Sequence, residues 1–297
     1  MRHSTRVPYD PGVTSPANQV EAMATGNDLF KLYRYDPSLA AAILFIILFL
    51  LITAWHSFIL LRTKTWFFIP FVLGGFCQWI GYVGRAVSSV QSPNWTVKPY
   101  IIQTLLPLVA PALYAASIYM ILGRIIMITQ GEHHSIIRRK WLTKLFVLGD
   151  VISFILQAAG GGIMASGTKE SLELGEHIVI GGLVVQVLFF SLFASTAAVF
   201  HVRMRKLPTT RVLSTIIPWE AFLAVLYLAS ALIMIRSIFR LVEYAQGNDG
   251  YLVSHEVYLY VFDSVLMFAT MCLFAWKHPN AINRWAKDEH GSDFELP

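Results

Sequence analysis

The chain has 297 residues, of which 56% are hydrophobic and 14% charged, against about 25% charged in an ordinary soluble domain. With a mean hydropathy of +0.57, most of its surface has to face lipid, which excludes a water-soluble globular domain. The net charge of +5 does not point to nucleic acid, because the basic residues sit in short clusters between apolar runs, where membrane topology requires them.

Residues 1–37 are polar and hold no apolar stretch of the kind a cleavable signal needs, so they read as a flexible extracellular tail. A membrane domain follows over residues 38–276. Seven stretches reach the roughly 20 residues that cross about 30 Å of hydrocarbon. They are predicted at Ser38–Leu61, Trp66–Val90, Pro99–Met127, Thr143–Ser166, His177–His201, Pro218–Glu243 and His255–Trp276. Backbone groups find no water partner in lipid, so each span must be helical. The runs lack the alternating polarity of a barrel. The expected fold is an all-α, seven-transmembrane helix bundle, followed by a cytoplasmic tail over 277–297.

The loops set the orientation. Arg62 and Lys64 occupy the first, Arg138, Arg139 and Lys140 the third, and Arg203, Arg205, Lys206 and Arg211 the fifth. The alternate loops are poor in Lys and Arg, which places the N-terminus outside and the C-terminus in the cytoplasm. The sequon Asn94-Trp95-Thr96 falls in a loop expected outside, so Asn94 is the candidate glycosylation site. Gly160-Gly161-Gly162 and Gly181-Gly182 allow neighbouring backbones to approach. Pro107 and Pro111 each remove a helical hydrogen bond from the third span.

Ionisable groups at membrane depth cost several kcal/mol unless paired or hydrated, which makes each a candidate for function. In the second span Gln78, Tyr82 and Arg85 share a face at i, i+4, i+7 spacing. Gln103 lies in the third span, and Gln157 and Gln186 near the middle of the fourth and fifth. The sixth carries Arg236, Arg240 and Glu243; the seventh carries Glu256, Tyr260 and Asp263, again at i, i+4, i+7. Asp150, Glu220 and Arg124 are expected nearer the cytoplasmic end. Two readings compete for the charged set. The arginines could simply neutralise the acids and lock three helices together, with Arg124 and Arg240 snorkelling to the interface. Alternatively, the set lines an outward-opening cavity for an amphiphile, the acids holding an amine and the arginines a phosphate.

Other chemistry is poorly supported. Cys77 and Cys272 lie in apolar runs and read as core residues rather than as a disulfide or metal pair. There is no phosphate loop of Walker spacing, so direct use of ATP is not expected. A membrane zinc hydrolase needs about three protein ligands at one depth, whereas His177 and His255 fall at one side and His56 and His201 at the other. No catalytic residue, metal or cofactor is therefore expected.

Several blocks, in order, resemble the fungal RTA-like lipid-translocating exporter family across residues 33–280. They are Tyr33-Arg34-Tyr35-Asp36-Pro37-Ser38, Gly81-Tyr82-Val83-Gly84-Arg85, Ala110-Pro111-Ala112-Leu113-Tyr114, Asp150-Val151-Ile152-Ser153 with Gln157, and Arg236-Ser237-Ile238-Phe239-Arg240-Leu241-Val242-Glu243, closed by Gly250 to Glu256 with Tyr260 and Asp263. The resemblance implies export of sphingoid long-chain bases, tolerance of toxic amphiphiles and, in some members, porphyrin movement. The family pattern often has a Glu where this chain has Gln78. The expected function is ATP-independent translocation of an amphiphilic lipid at the plasma membrane, among membrane lipids, with self-association left open. The implied substrate-binding set is Gln78, Tyr82, Arg85, Gln103, Tyr114, Gln157, Gln186, Arg236, Arg240, Glu243, Glu256, Tyr260 and Asp263. A seven-helix receptor or lipid sensor is the rival, but the seventh span lacks an Asn-Pro-x-x-Tyr turn and any lysine for a retinal Schiff base. A membrane hydrolase ranks third.

Overall fold

The computed structural model describes residues 35–92, 96–164, 168–214, 218–247, 250–280 and 282. Asn94 and the segments 1–34 and 283–297 lie outside the described residues. Every regular element among the described residues is helical. Seven helices are long and apolar enough to cross a membrane. They are α1 (Leu39–Thr63), α2 (Ile69–Val90), α3 (Val97–Ile128), α4 (Arg139–Met164), α5 (Lys169–Lys206), α6 (Trp219–Ala245) and α7 (Glu256–Trp276).

The predicted spans match these helices, with two extensions. α4 starts at Arg139 rather than Thr143, and α5 runs from Lys169 to Lys206 rather than from His177 to His201. At 1.5 Å per residue α5 is about 57 Å long, well beyond the ~30 Å of hydrocarbon. Hydropathy marks only the stretch that lipid surrounds; the polar turns beyond it are held by local chemistry. At the start of α5, Thr168 Oγ1 accepts from the Ser171 amide at 3.2 Å, while Ser171 Oγ accepts from the Thr168 amide at 3.1 Å. This reciprocal cap satisfies two backbone donors that would otherwise be orphans.

The helices close into a ring in chain order, α7 returning to α1, and α3 reaches across to touch α6. α3 is thus the most enclosed of the seven, and α1 the least. α1 shows why an apolar stripe could not be read from the sequence. Its core side (Ala42, Phe45, Phe49, Leu60) and its exposed side (Leu44, Leu51, Phe58, Leu61) are equally apolar, because lipid rewards the same residues as the interior.

Several glycines let neighbouring helices approach closely. A Cβ on Gly81 would stand 2.6 Å from the ring of Pro107, which seats α2 on α3. Gly160 faces the Gly175 carbonyl, where a Cβ would come within 2.6 Å, and Gly182 lies against Ser153 and Gln157; these two join α4 to α5. Gly161, Gly162 and Gly181 have open space where a Cβ would go, so the expected packing role belongs to only part of each glycine run.

Candidate functional site

The polar interior is built around α7. This helix opens into a π-helical turn over Tyr260–Val265, the wider i→i+5 geometry often found at functional positions. The expected single face of Glu256, Tyr260 and Asp263 is altered by that turn. Two successive residues, Asp263 and Ser264, are both delivered to the interior. Asp263 meets the arginines of α6, and the Ser264 hydroxyl is hydrogen-bonded to Tyr82 of α2.

Asp263 is shared between two guanidinium groups. Arg236 Nε donates to Oδ1 at 2.6 Å and Arg240 Nη2 to Oδ2 at 3.2 Å. Arg240 Nη1 also donates to Glu243 Oε2 at 2.8 Å. Arg240 therefore lies within the bundle network instead of snorkelling to the interface. Arg236 is 1% exposed, and its Nη2 donates to the Pro107 carbonyl of α3 at 3.0 Å. In a regular helix that carbonyl would accept from residue 111, but Pro111 has no N–H to give. The helix-breaking residue of α3 thus creates the acceptor that anchors an arginine of α6.

A second network sits toward the start of α1. Arg85 Nη2 donates to Glu256 Oε1 at 2.7 Å and to the Tyr35 hydroxyl at 2.8 Å, while its Nε donates to the Tyr260 hydroxyl at 3.0 Å. Tyr260 in turn donates to Glu256 Oε1 at 3.0 Å. The Ser38 amide donates to both Glu256 oxygens, at 2.9 and 3.1 Å, tying the start of α1 to α7. Tyr35 and Tyr260 also present their rings to the guanidinium, at 5.5 and 5.3 Å. Between the two networks Phe45 stacks on both Tyr82 and Tyr260, with centroids 5.5 and 5.2 Å apart.

Across both networks three arginines face three carboxylates, so formal charge is balanced. Hydrogen-bonding capacity is not exhausted. Arg240 Nε, Gln78 Nε2, Gln103 Oε1 and Ser88 Oγ are enclosed without a partner. Of the remaining expected site residues, Tyr114 lies beside the Arg236–Asp263 pair, whereas Gln157 and Gln186 do not join it. Tyr114 donates to the thioether sulfur of Met271 at 3.1 Å. Gln157 Nε2 donates to Gln186 Oε1 at 3.2 Å and to Ser153 Oγ at 2.7 Å, so these amides join α4 to α5 and do not bond the charged groups. Arg124 lies over the ring of Phe67 at 4.0 Å.

Four participants escaped sequence reasoning: Tyr35, the Ser38 amide, Ser264 and the Pro107 carbonyl. The four-residue spacing of the two prolines was a usable signal for the last. A backbone amide and a lone serine carry no such mark.

Comparison with known proteins gives a consistent result. Residues 71–285 match the model of the family described as RTA1 like protein. The chain is 38% identical over 289 residues to Protoporphyrin uptake protein 1 of Saccharomyces cerevisiae, covering 85% of this chain and 93% of that protein. It is 39% identical over 277 residues to Protein RTA1 of the same organism, covering 85% and 86%. It is 24% identical over 295 residues to the Sphingoid long-chain base transporter RSB1 of S. cerevisiae, covering 88% and 76%. No solved structure matches. With the family model matched over most of the spanning helices and relatives of this identity along most of its length, the chain belongs to the RTA1-like family.

Proposed function

We propose that this protein moves amphiphilic molecules between membrane leaflets without ATP, holding the polar head at the Arg236–Asp263 and Arg85–Glu256 networks. The observation that carries this reading is Asp263, buried and shared between two arginines. A site with both signs of charge and an unpartnered donor, Arg240 Nε, can exchange an internal ion pair for a ligand's charge. An amine would compete for Asp263 or Glu256, and an acidic head for Arg236, Arg240 or Arg85.

The names of the relatives bracket that chemistry. One is a sphingoid long-chain base transporter, whose cargo carries an amine, and one a protoporphyrin uptake protein, whose cargo carries carboxylates. We take a cationic lipid, a sphingoid base, as the leading cargo and an acidic porphyrin as the alternative. The basic loops support an orientation with the Arg85 end on the non-cytoplasmic side. Purified protein in liposomes should change the leaflet distribution of a labelled sphingoid base with no added partner. Absence of movement for both cargo types, alongside ligand-dependent coupling to a cytoplasmic protein, would favour a receptor instead.

A further inference from the structure

We infer that Asp150, on α4, takes up and releases a proton during the working cycle, at a site distinct from the two charged networks; this rests on the transport reading above. Asp150 lies within the apolar stretch of α4, the helix that runs from Arg139 to Met164. It is 4% exposed. Glu243, Glu256 and Asp263 each have an arginine, but among the described residues no basic side chain forms an ion pair with Asp150. Its Oδ2 is buried without a hydrogen-bond partner.

The neighbour that acts on it is Tyr119 of α3, which is fully buried and whose hydroxyl is likewise unpartnered in ordinary geometry. Around Tyr119 stand Phe146, Phe190 and Phe193, with ring centroids at 5.4, 6.2 and 4.5 Å. On α5 the residue against this stretch is Phe189, packed on Gly149. On α4 itself the Ser153 hydroxyl is engaged with the Gly182 carbonyl at 2.7 Å. Tyr119 is thus the titratable group facing Asp150, and the other named neighbours bring no charge.

An ionised carboxylate in such surroundings costs several kcal/mol unless something compensates it. The pair suits both protonation states. On a small approach of the two side chains, a carboxylate would accept from the Tyr119 O–H and a carboxylic acid would donate its own O–H to the Tyr119 oxygen. Uptake forms one O–H bond with a proton from water, release breaks it and returns the proton to water, and nothing else changes covalently. Ser153 and Gln157 continue the same face at i+3 and i+7, giving Asp150 a polar track along α4.

The test uses the full chain in liposomes, with labelled sphingoid base and an imposed pH gradient, and takes the ratio of flux with the gradient to flux without it. The wild-type ratio should depart severalfold from one, Asp150→Asn should bring it to one, and Asp150→Glu, which restores a titratable carboxyl, should restore the departure. A wild-type ratio of one, or an unaltered ratio in Asp150→Asn, overturns the proposal while transport stands. If no cargo moves, the transport reading fails, and infrared difference spectra of the purified protein decide on Asp150. A carboxylic C=O band that titrates and is missing in Asp150→Asn supports the proton site; a carboxyl that never changes state overturns it.

Discussion

Arg236 of α6 donates to the carbonyl of Pro107 on α3, the oxygen that Pro111 leaves without its helical amide, while its other donor holds Asp263 of α7. One side chain thereby joins three helices near the bundle centre. Removing one partner of a buried pair leaves a stranded charge, at a cost of about 3–5 kcal/mol. Asp263→Ala should therefore lose about that much stability in detergent unfolding, and Asp263→Asn, which keeps an acceptor, distinctly less. Removing both charges, with Arg236→Met and Asp263→Leu, should recover part of the loss. A double variant as unstable as the sum of its singles would show that the two residues are not coupled.

Glu256 ties the start of α1 to α7 through two bonds from the Ser38 amide. Glu256→Gln removes the charge that strengthens these bonds, worth about 1.5–3 kcal/mol for each hydrogen bond to a charged group. Hydrogen exchange at the Ser38 amide should accelerate while exchange in the middle of α3 stays unchanged. Equal protection at Ser38 in both proteins would remove Glu256 as the anchor.

The glycines separate packing from spacing. Gly81→Ala and Gly160→Ala each drive a Cβ to 2.6 Å from a neighbouring helix, and should cost about 1–3 kcal/mol as overpacking does. Gly161→Ala and Gly162→Ala meet open space and should be neutral or stabilising by about 0.5–1 kcal/mol, the helix preference for alanine. Thermal unfolding of the four variants orders them, and a destabilised Gly161→Ala would contradict the helix interface described.

At the other end of the bundle, His278 is buried against Phe68 and beside His56, with centroids 5.0 and 6.0 Å away. Burial, helped by His56, pushes its pKa from 6.5 down to about 4. Below 6.5 the unfolded chain binds a proton that the folded ring refuses, so stability is full above that pH and is lost as pH falls toward about 4. At about 1.4 kcal/mol per unit the loss is at most ~3.5 kcal/mol. His278→Gln should flatten the fall in melting temperature between pH 7 and pH 5. An unchanged pH profile would assign the effect to other groups.

Much of the bundle was legible because lipid imposes a simple requirement, long apolar helices, and the chain meets it seven times. The ends of α4 and α5 were not, since their polar turns are held by a cap at Thr168 and by local bonds that hydropathy ignores. The cost of a bare charge in lipid is met by pairing, as expected: Arg236, Arg240, Glu243 and Asp263 form one network, while Glu256 pairs separately with Arg85. The same logic could not say which helix faces meet. Gln157 and Gln186 have a suitable depth, yet they bond each other across α4 and α5, because depth does not fix the direction a side chain takes around its helix. The π turn of α7 carries no compositional signature, so the separate destinations of Asp263 and Ser264 required the structure.

The central claim is that Asp263 serves a cargo as well as a fold. The direct measurement is flux of a labelled sphingoid base and of an acidic porphyrin through liposomes holding wild type or Asp263→Asn, each normalised to folded protein. The account expects the variant to lose cationic-base flux about 10–100-fold, the loss of a charge-assisted bond of ~1.5–3 kcal/mol, while porphyrin flux falls much less. Equal flux of both cargoes in the two proteins, or a loss of both in proportion to the unfolded fraction, would leave Asp263 a structural residue and contradict the account.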